Sequence, residues 1–427
     1  ERFHHRLVSR ETTTVVFEFS LSPHPDERER LLAESTADIL RFLQLEANYS
    51  SPILPFLGGG FAYDYLATFE ELPEVKPGVN TYPDYEFLVA QTVLAVDHLQ
   101  GTAHLEGWDI DEKRLREELD YLASLPVAAR FTAPQKERIR AVADVNDAGF
   151  RANVAKLKGN IHAGDIYQVV PSRAFSVDRP NALAAYRALR KTNPSPYMFY
   201  VRGATYELFG ASPESNLKFT SEDRQVQLYP IAGTRPRGLN PDGSINHELD
   251  IRNELDMRTD QKEIAEHTML VDLARNDLAR VAVPRSRQVA ELLHVDRYSR
   301  VMHLVSRVTA TLHPDFDALD AYRACMNMGT LTGAPKIRAT ELVRRTEGKR
   351  RGSYGGAVGY LRGDGAMDNC IVIRSAYVQN GTAVVQAGAG VVKDSVPQAE
   401  ADETVHKAYA VLHAIAIAHG AELEVQR

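Results

Sequence analysis

The acids of this chain gather in a few short phrases whose spacing bears on chemistry. Glu263 and Glu266 stand three apart in a run whose apolar residues, Met269, Leu270, Leu273 and Ala274, recur at helical spacing, so both carboxylates project from one side of one helix. Asp394 and Ser395 precede Pro397, a good helix start. Glu400, Glu403 and Lys407 then follow at i, i+3 and i+7 on a second predicted helix, which Gly420 would stop. Taken singly, each pair reads most simply as a solvated helix face, because like charges one turn apart cost only about a few tenths of a kcal/mol in water. Two such pairs facing each other across a cleft would repel strongly unless a hard divalent cation lay between them, and oxygen-only ligands suit magnesium. Spacing alone does not bring the two helices together.

Other phrases set single polar groups among apolar neighbours. Arg374 falls in the β-type run Cys370–Ser375, where an unpaired guanidinium is costly. An internal salt bridge or a planar carboxylate ligand would satisfy it. Ala387-Gly388-Ala389-Gly390 follows on the returning run. Glycines there let a ligand approach backbone amides, or else mark a bulge or tight packing. Strand residues continue after them and no helix opens, so this is not a dinucleotide fingerprint. Gln168 is a polar strand residue on the face opposite Tyr167. Glu214 follows Ser212-Pro213 inside an apolar stretch, where burial would raise its pKa towards general-acid work. His303, between Met302 and Leu304, reads either as a core histidine satisfied by hydrogen bonds or as a base.

The elements that must position these groups follow from periodicity. Apolar spacing predicts helices over 26–45, 111–125 and 254–280, and β runs over 166–170, 207–219 and 226–231. Gly58-Gly59-Gly60 predicts a break before Phe61. Pro126 and Thr132–Lys136 predict a linker, with a boundary near residue 140 that divides an N-terminal portion, 1–140, from a catalytic core, 141–427. Runs 372–378 and 382–392 flank Asn380-Gly381, a type I′ turn signal, and so form a hairpin. Hairpins separated by long helices point to α+β rather than a doubly wound parallel sheet.

Composition narrows the function. A net charge of −7 over 427 residues, 44% of them apolar, provides a large core but no basic field for nucleic acid or an anionic membrane. Cys325 and Cys370 stand alone, without CxxC spacing, which excludes a disulfide framework and the usual zinc sites and fits a reducing cytoplasm. The opening Glu1-Arg2-Phe3-His4-His5 has neither a leading Met nor an apolar signal stretch, and suggests a start inside a longer product.

Read together, the phrases resemble the chorismate-utilising enzymes, most closely those of the anthranilate synthase large-subunit type. From Gly164 to Ala418 the likeness includes GDIYQVVPSR at 164, NPSPYMF at 193, LFGASPE at 208, PIAGTRPRG at 230, KEIAEHTMLVDLARNDLARV at 262, YRACMNMGTLTGAPK at 322, RRGSYGGAVGY at 350, CIVIRSAYV at 370, QAGAGVV at 386 and EADET at 400, with GGGFAYDY at 58 a weaker extension. The resemblance implies a large core of stacked antiparallel sheets flanked by helices, holding chorismate and Mg2+ in a central cleft. It implies that Glu263, Glu266, Glu400 and Glu403 surround the metal. Arg374 and Tyr354 would hold the pyruvyl carboxylate, and Thr234, Thr330, Lys407 and the amides around Gly388 and Gly390 would line the cleft. Glu214 and His303 become the acid and base candidates.

Within that family, relatives that add water carry Lys where Gln168 stands, and relatives that make aminodeoxychorismate carry Lys in place of Ala232. Direct attack of ammonia at C2, followed by loss of pyruvate to give anthranilate, is what remains. A synthase that stops at 2-amino-2-deoxyisochorismate shares most of these residues, and a silent tryptophan-sensing protein is the reading from a different class. Neither cysteine lies in a Gly-x-Cys-x-Gly elbow, so ammonia would come from a separate glutamine amidotransferase subunit in a hetero-oligomer. Pro196 and Met198 match half of the family's tryptophan feedback region. Leu31-Leu32-Ala33-Glu34-Ser35 departs from the other half, Leu-Leu-Glu-Ser, by an inserted Ala and a helical pattern, as though the usual N-terminal segment were missing. His406 and Tyr409 depart from the more usual Asn and Arg beside Lys407.

Overall fold

The computed structural model describes residues 5–10, 15–19, 26–45, 51–108, 110–125, 138–178, 180–298 and 300–427, and the linker expected over 126–137 lies outside them. Two large sheets carry the described chain. The larger runs from Ile231–Pro236 through Val301–Thr311, Gln225–Leu228, Ser215–Thr220, Met367–Ile371, Ala357–Leu361 and Phe56–Phe61 to Tyr85–Ala90, and Gln288–Arg297 also pairs with Val301–Thr311. The smaller runs from Tyr197–Arg202 through Tyr206–Ser212, Ser375–Gln379, Thr382–Gly388, Ser172–Asp178 and Arg138–Ala143 to Glu422–Gln426. Its last pair is parallel, and its other neighbours are antiparallel. The α+β expectation holds.

Each sheet buries one face under a helix. On the smaller sheet the helix Pro397–Ala418 buries Val411, Leu412 and Ile415 in one cluster with Phe175, Phe209 and Val385. On the larger, the helix Gln261–Ala279 buries Val271, Ala274 and Leu278 with Leu217, Leu228 and Val308. The two ExxE helices are thus anchored to different sheets.

What joins the sheets is a pair of crossings. Tyr206–Ser212 leaves the smaller sheet and, after Pro213-Glu214, re-enters the larger as Ser215–Thr220. Met367–Ile371 leaves the larger and, after residues 372–374, joins the smaller as Ser375–Gln379. The crossings are bonded to each other: Ile371 N donates to the Glu214 carbonyl and Ala211 N to the Arg374 carbonyl, each at 3.0 Å. A buried acid and a half-buried guanidinium therefore meet where the sheets diverge.

Several expected elements are corrected here. The 26–45 helix is two helices, Glu27–Leu32 and Asp38–Leu45, because the Asp38 carboxylate accepts Ser35 N at 2.8 Å and closes a turn between them. Gly58–Gly60 do not break the chain but belong to the strand Phe56–Phe61. A Cβ on Gly59 would lie 2.0 Å from the Glu86 carbonyl oxygen, and one on Gly60 2.2 Å from that of Ala357, so only glycine admits both neighbouring strands. The 254–280 helix divides at Asp260, whose carboxylate caps the second helix at Lys262 N (2.9 Å) and Glu263 N (3.1 Å). The 207–219 run is two strands in two sheets, and 372–374 is not strand at all. In 166–170 only Gln168–Val169 is strand, and the returning run of the hairpin stops at Gly388. The hairpin turn is as expected, with Asn380 at φ 50° and Gly381 at φ 76°. Among the described residues no helix is long and apolar enough to cross a membrane.

Candidate active site

A cavity of about 400 Å³ opens beside the crossings, and every expected catalytic, substrate and metal residue lines it. Glu214 is 5% exposed, and its Oε1 accepts a bond from Thr330 Oγ1 at 3.0 Å. Burial pushes its pKa up to about 8, against the weaker pull of Thr330 and the Lys407 charge. At neutral pH it holds its proton. His303 sits on the long strand Val301–Thr311 directly opposite Thr234, with Thr234 Oγ1 and His303 Nδ1 2.9 Å apart. Burial first, and then the Arg374 charge, lower the imidazole to about 4, so it is neutral over the working range. One acid and one base are thereby poised in opposite protonation states.

Arg374 adopts a left-handed backbone at φ 49°, a conformation unusual for a residue with a Cβ, which turns the crossing towards the cavity. Burial holds its pKa below the ordinary value, while Tyr354 and Glu403 oppose that shift only through space. Among the described residues no carboxylate forms a salt bridge with it, so of the two readings of this arginine the internal pair is not the one found. Gly388 and Gly390 leave room at the cavity floor. A Cβ on Gly388 would come 3.0 Å from the Tyr354 hydroxyl, and one on Gly390 3.0 Å from Gln168 Nε2. Gln168 is 1% exposed and donates through Nε2 to Glu266 Oε1 at 2.9 Å, whereas its Oε1 is buried without a partner. An orphan acceptor at a cavity wall is an invitation to an N–H or O–H donor.

The four glutamates share the cavity but are not gathered. Glu263 Oε1 accepts from Arg235 Nη1 at 2.9 Å, and Glu403 Oε1 pairs with Lys407 Nζ at 2.6 Å. Lys407 Nζ also donates to the Gly388 carbonyl at 3.1 Å. Burial and then the Glu263 charge raise the Glu266 pKa, and burial together with the Glu403 charge raises that of Glu400. Among the described residues no three metal-capable side chains converge on one point. The reason is visible: one carboxylate of each pair is drawn to an internal cation. The donor set is nevertheless all oxygen, borne on two separately anchored helices and mutually repelling, which is the chemistry a hard divalent cation relieves.

Two polar residues on the cavity wall were not anticipated, Lys262 and Gln386, and neither was Arg235, which is not on the wall but holds Glu263. Strand alternation aims Arg235 away from Thr234, yet its guanidinium reaches round to Asp256, Asp260 and Glu263 at 2.6, 3.0 and 2.9 Å. Pro196 and Met198 do not line this cavity. Met198 instead borders a second one of about 450 Å³, between the edge strand Tyr197–Arg202 and the glycine-bearing strands of the larger sheet.

Comparison with known proteins agrees with this geometry. The sequence profile of the chorismate binding enzyme family matches residues 9–413. Anthranilate synthase component 1 of Salmonella typhimurium is 53% identical over 412 residues, 94% of this chain and 79% of that protein. Its counterpart in Escherichia coli is 52% identical over 411 residues, again 94% and 79%. The crystal structure of anthranilate synthase component I from Streptococcus pneumoniae superposes with a TM-score of 0.79 at 30% identity, covering 94% of this chain and 88% of that one. The menaquinone-specific isochorismate synthase of Escherichia coli shares the fold at a TM-score of 0.70 and 20% identity, over 89% of this chain and 82% of its own.

Proposed function

The chain belongs to the chorismate binding enzyme family, and on that premise we propose that it is a cytoplasmic lyase turning chorismate and ammonia into anthranilate and pyruvate, the first step of tryptophan biosynthesis. The observation that carries the ammonia reading is Gln168, an amide with an orphan oxygen on the wall of the cavity. It has no basic group with which to activate water. Its Oε1 accepts an N–H of ammonia and aims the nitrogen lone pair at C2 of the ring. Ala232, also on the wall, has no amine to attack in ammonia's place.

As nitrogen bonds to C2, the ring double bonds shift and the C4–O bond breaks. Glu214 delivers its proton to the departing hydroxyl, leaving as water. Arg374 and Tyr354 bind the pyruvyl carboxylate, and Lys407 and Thr330 border the ring. In the second half-reaction His303, with Nδ1–H donated to Thr234, presents Nε2 as acceptor for the C2 proton. That electron pair forms the aromatic ring, the C3–O bond breaks, and the released enolpyruvate is protonated to pyruvate. Glu263, Glu266, Glu400 and Glu403 would hold a magnesium ion, which when bound would fix the ring carboxylate. The ammonia comes from a separate glutamine amidotransferase subunit. Tryptophan, as feedback inhibitor, would occupy the second cavity beside Met198.

Incubated with chorismate, magnesium and ammonium salt, the chain is expected to release anthranilate and pyruvate in equal amounts, and added tryptophan is expected to slow both. An amino intermediate without pyruvate would instead identify a synthase that stops halfway. Turnover without ammonium would defeat the role given to Gln168. For the metal, Glu403→Gln is expected to weaken calorimetric magnesium binding by about 10- to 100-fold with an unchanged circular dichroism spectrum. An unchanged titration would remove Glu403 from the metal set.

A further inference from the structure

Behind the cavity wall lies a buried guanidinium that the reaction does not use. Arg351 is 2% exposed, and four of its N–H groups are spent on three segments of the site. Nε and Nη2 grip the Glu347 carboxylate at 2.9 and 2.7 Å, Nη1 donates to the Leu331 carbonyl at 2.8 Å, and Nη2 also donates to the Val170 carbonyl at 2.7 Å. Leu331 follows Thr330, the donor to Glu214, and Val170 lies two residues past Gln168. The guanidinium plane is flanked by two tyrosines, with Cζ 4.5 Å from the Tyr63 ring centroid and 5.5 Å from that of Tyr354. Glu347 Oε1 relays the network further. It accepts from Ser172 N and Ser172 Oγ, both at 2.8 Å, and Ser172 Oγ accepts from Gln386 Nε2 at 2.8 Å, which returns to the cavity.

We propose that Arg351 is a positioning residue of the chorismate site: one planar, five-donor group that sets the Gln168 strand, the Thr330 turn, Tyr354 and Gln386 in fixed relation. This rests on the function proposed above. A buried ion pair is weak evidence of stabilisation in itself, since well-packed apolar residues often replace one without loss. What apolar residues cannot do is hold two backbone carbonyls and a carboxylate in one plane. Nor can lysine, whose ammonium is a point donor. Because Tyr63 packs on the same guanidinium, the N-terminal portion, whose described residues line no part of the chorismate cavity, becomes part of the machinery through this contact.

The test is Arg351→Lys, which keeps the charge and loses the fork. Misplacing reacting groups by a fraction of an ångström is expected to lower kcat for anthranilate formation by about 10- to 100-fold, with circular dichroism and calorimetric magnesium affinity like wild type. Neither ExxE helix is bonded to Arg351 itself, and Gln168 reaches only Glu266 of the four glutamates, so a retained magnesium affinity separates mispositioning from collapse. Ser172→Ala removes the hydroxyl that bridges Glu347 and Gln386, leaves the Ser172 N bond to Glu347 in place, and is expected to raise KM for chorismate by about three- to tenfold at nearly unchanged kcat. Folded Arg351→Lys with wild-type kcat and KM, even with a lowered melting point, would reduce Arg351 to a structural ion pair and overturn the proposal. Should that variant not fold, an unchanged KM in Ser172→Ala overturns it. Wild-type protein run in parallel that makes no anthranilate would instead overturn the functional reading, and this role with it.

Discussion

Glu214→Gln is expected to lower kcat by about 10²–10⁴-fold and to erase the alkaline limb of the kcat/KM profile, measured at a fixed concentration of free ammonia. The amide keeps the size of the side chain and its contact with Thr330 but has no proton to give. Wild-type activity should fall as pH rises through about 8, where burial has placed the Glu214 carboxyl, because above that value the acid is spent before substrate arrives. The same shift carries a stability signature. Between the ordinary glutamate value of 4.5 and about 8 the unfolded chain has released this proton while the folded chain still holds it. The unfolded state therefore binds fewer protons, and stability drops as pH rises across that window. The amide variant has nothing to titrate, so its gain in melting temperature over wild type should be larger at pH about 8 than at pH about 5. A variant within tenfold of wild-type kcat, or one that keeps the alkaline limb, would take the acid role away from Glu214.

Why the sequence reveals Glu214 as a candidate but not its setting is a matter of what periodicity encodes. The stretch 207–219 is apolar nearly throughout, because it is buried first in one sheet and then in the other, and an uninterrupted apolar run does not announce that it changes sheets. Pro213 is the single local hint. Arg374 is hidden in the same way, at a bend whose left-handed φ no pattern predicts for arginine. By contrast Asn380-Gly381 encodes its turn in two residues, and the i, i+3 glutamates encode their shared face. Both were legible. The glycines at 58–60 show the opposite failure. Their local meaning is flexibility, but their actual role is to let two neighbouring backbones close in, which depends on chain 27 and 297 residues away. The pairing of Glu263 with Arg235 and of Glu403 with Lys407 is likewise a fact of folded distance. Short phrases located nearly every wall of the cavity; they did not reveal which charges face each other within it.

Arg374→Met is expected to lower kcat/KM for chorismate by about 10³-fold while making the protein more stable, by about 1–3 kcal/mol. These opposite signs follow from one observation. The guanidinium stands partly desolvated at the sheet crossing with no carboxylate of the described chain bound to it, and burial holds its pKa below the ordinary value despite the through-space pull of Glu403, so folding pulls a charge out of water for only a partial return. On the proposed function, a substrate carboxylate would supply the missing partner through a planar two-point contact. The affinity of that contact draws on strain already present in the empty site. Methionine keeps the aliphatic stem and removes both the charge and the fork. Arg374→Lys should separate the contributions: it retains charge, restores some binding, and lacks the planar match. The deciding measurements are thermal melts and chorismate kinetics on the same preparations. Loss of activity together with a lowered melting point would mean that Arg374 serves the fold, whereas a raised melting point with collapsed kcat/KM would show that the crossing is kept under strain for the ligand.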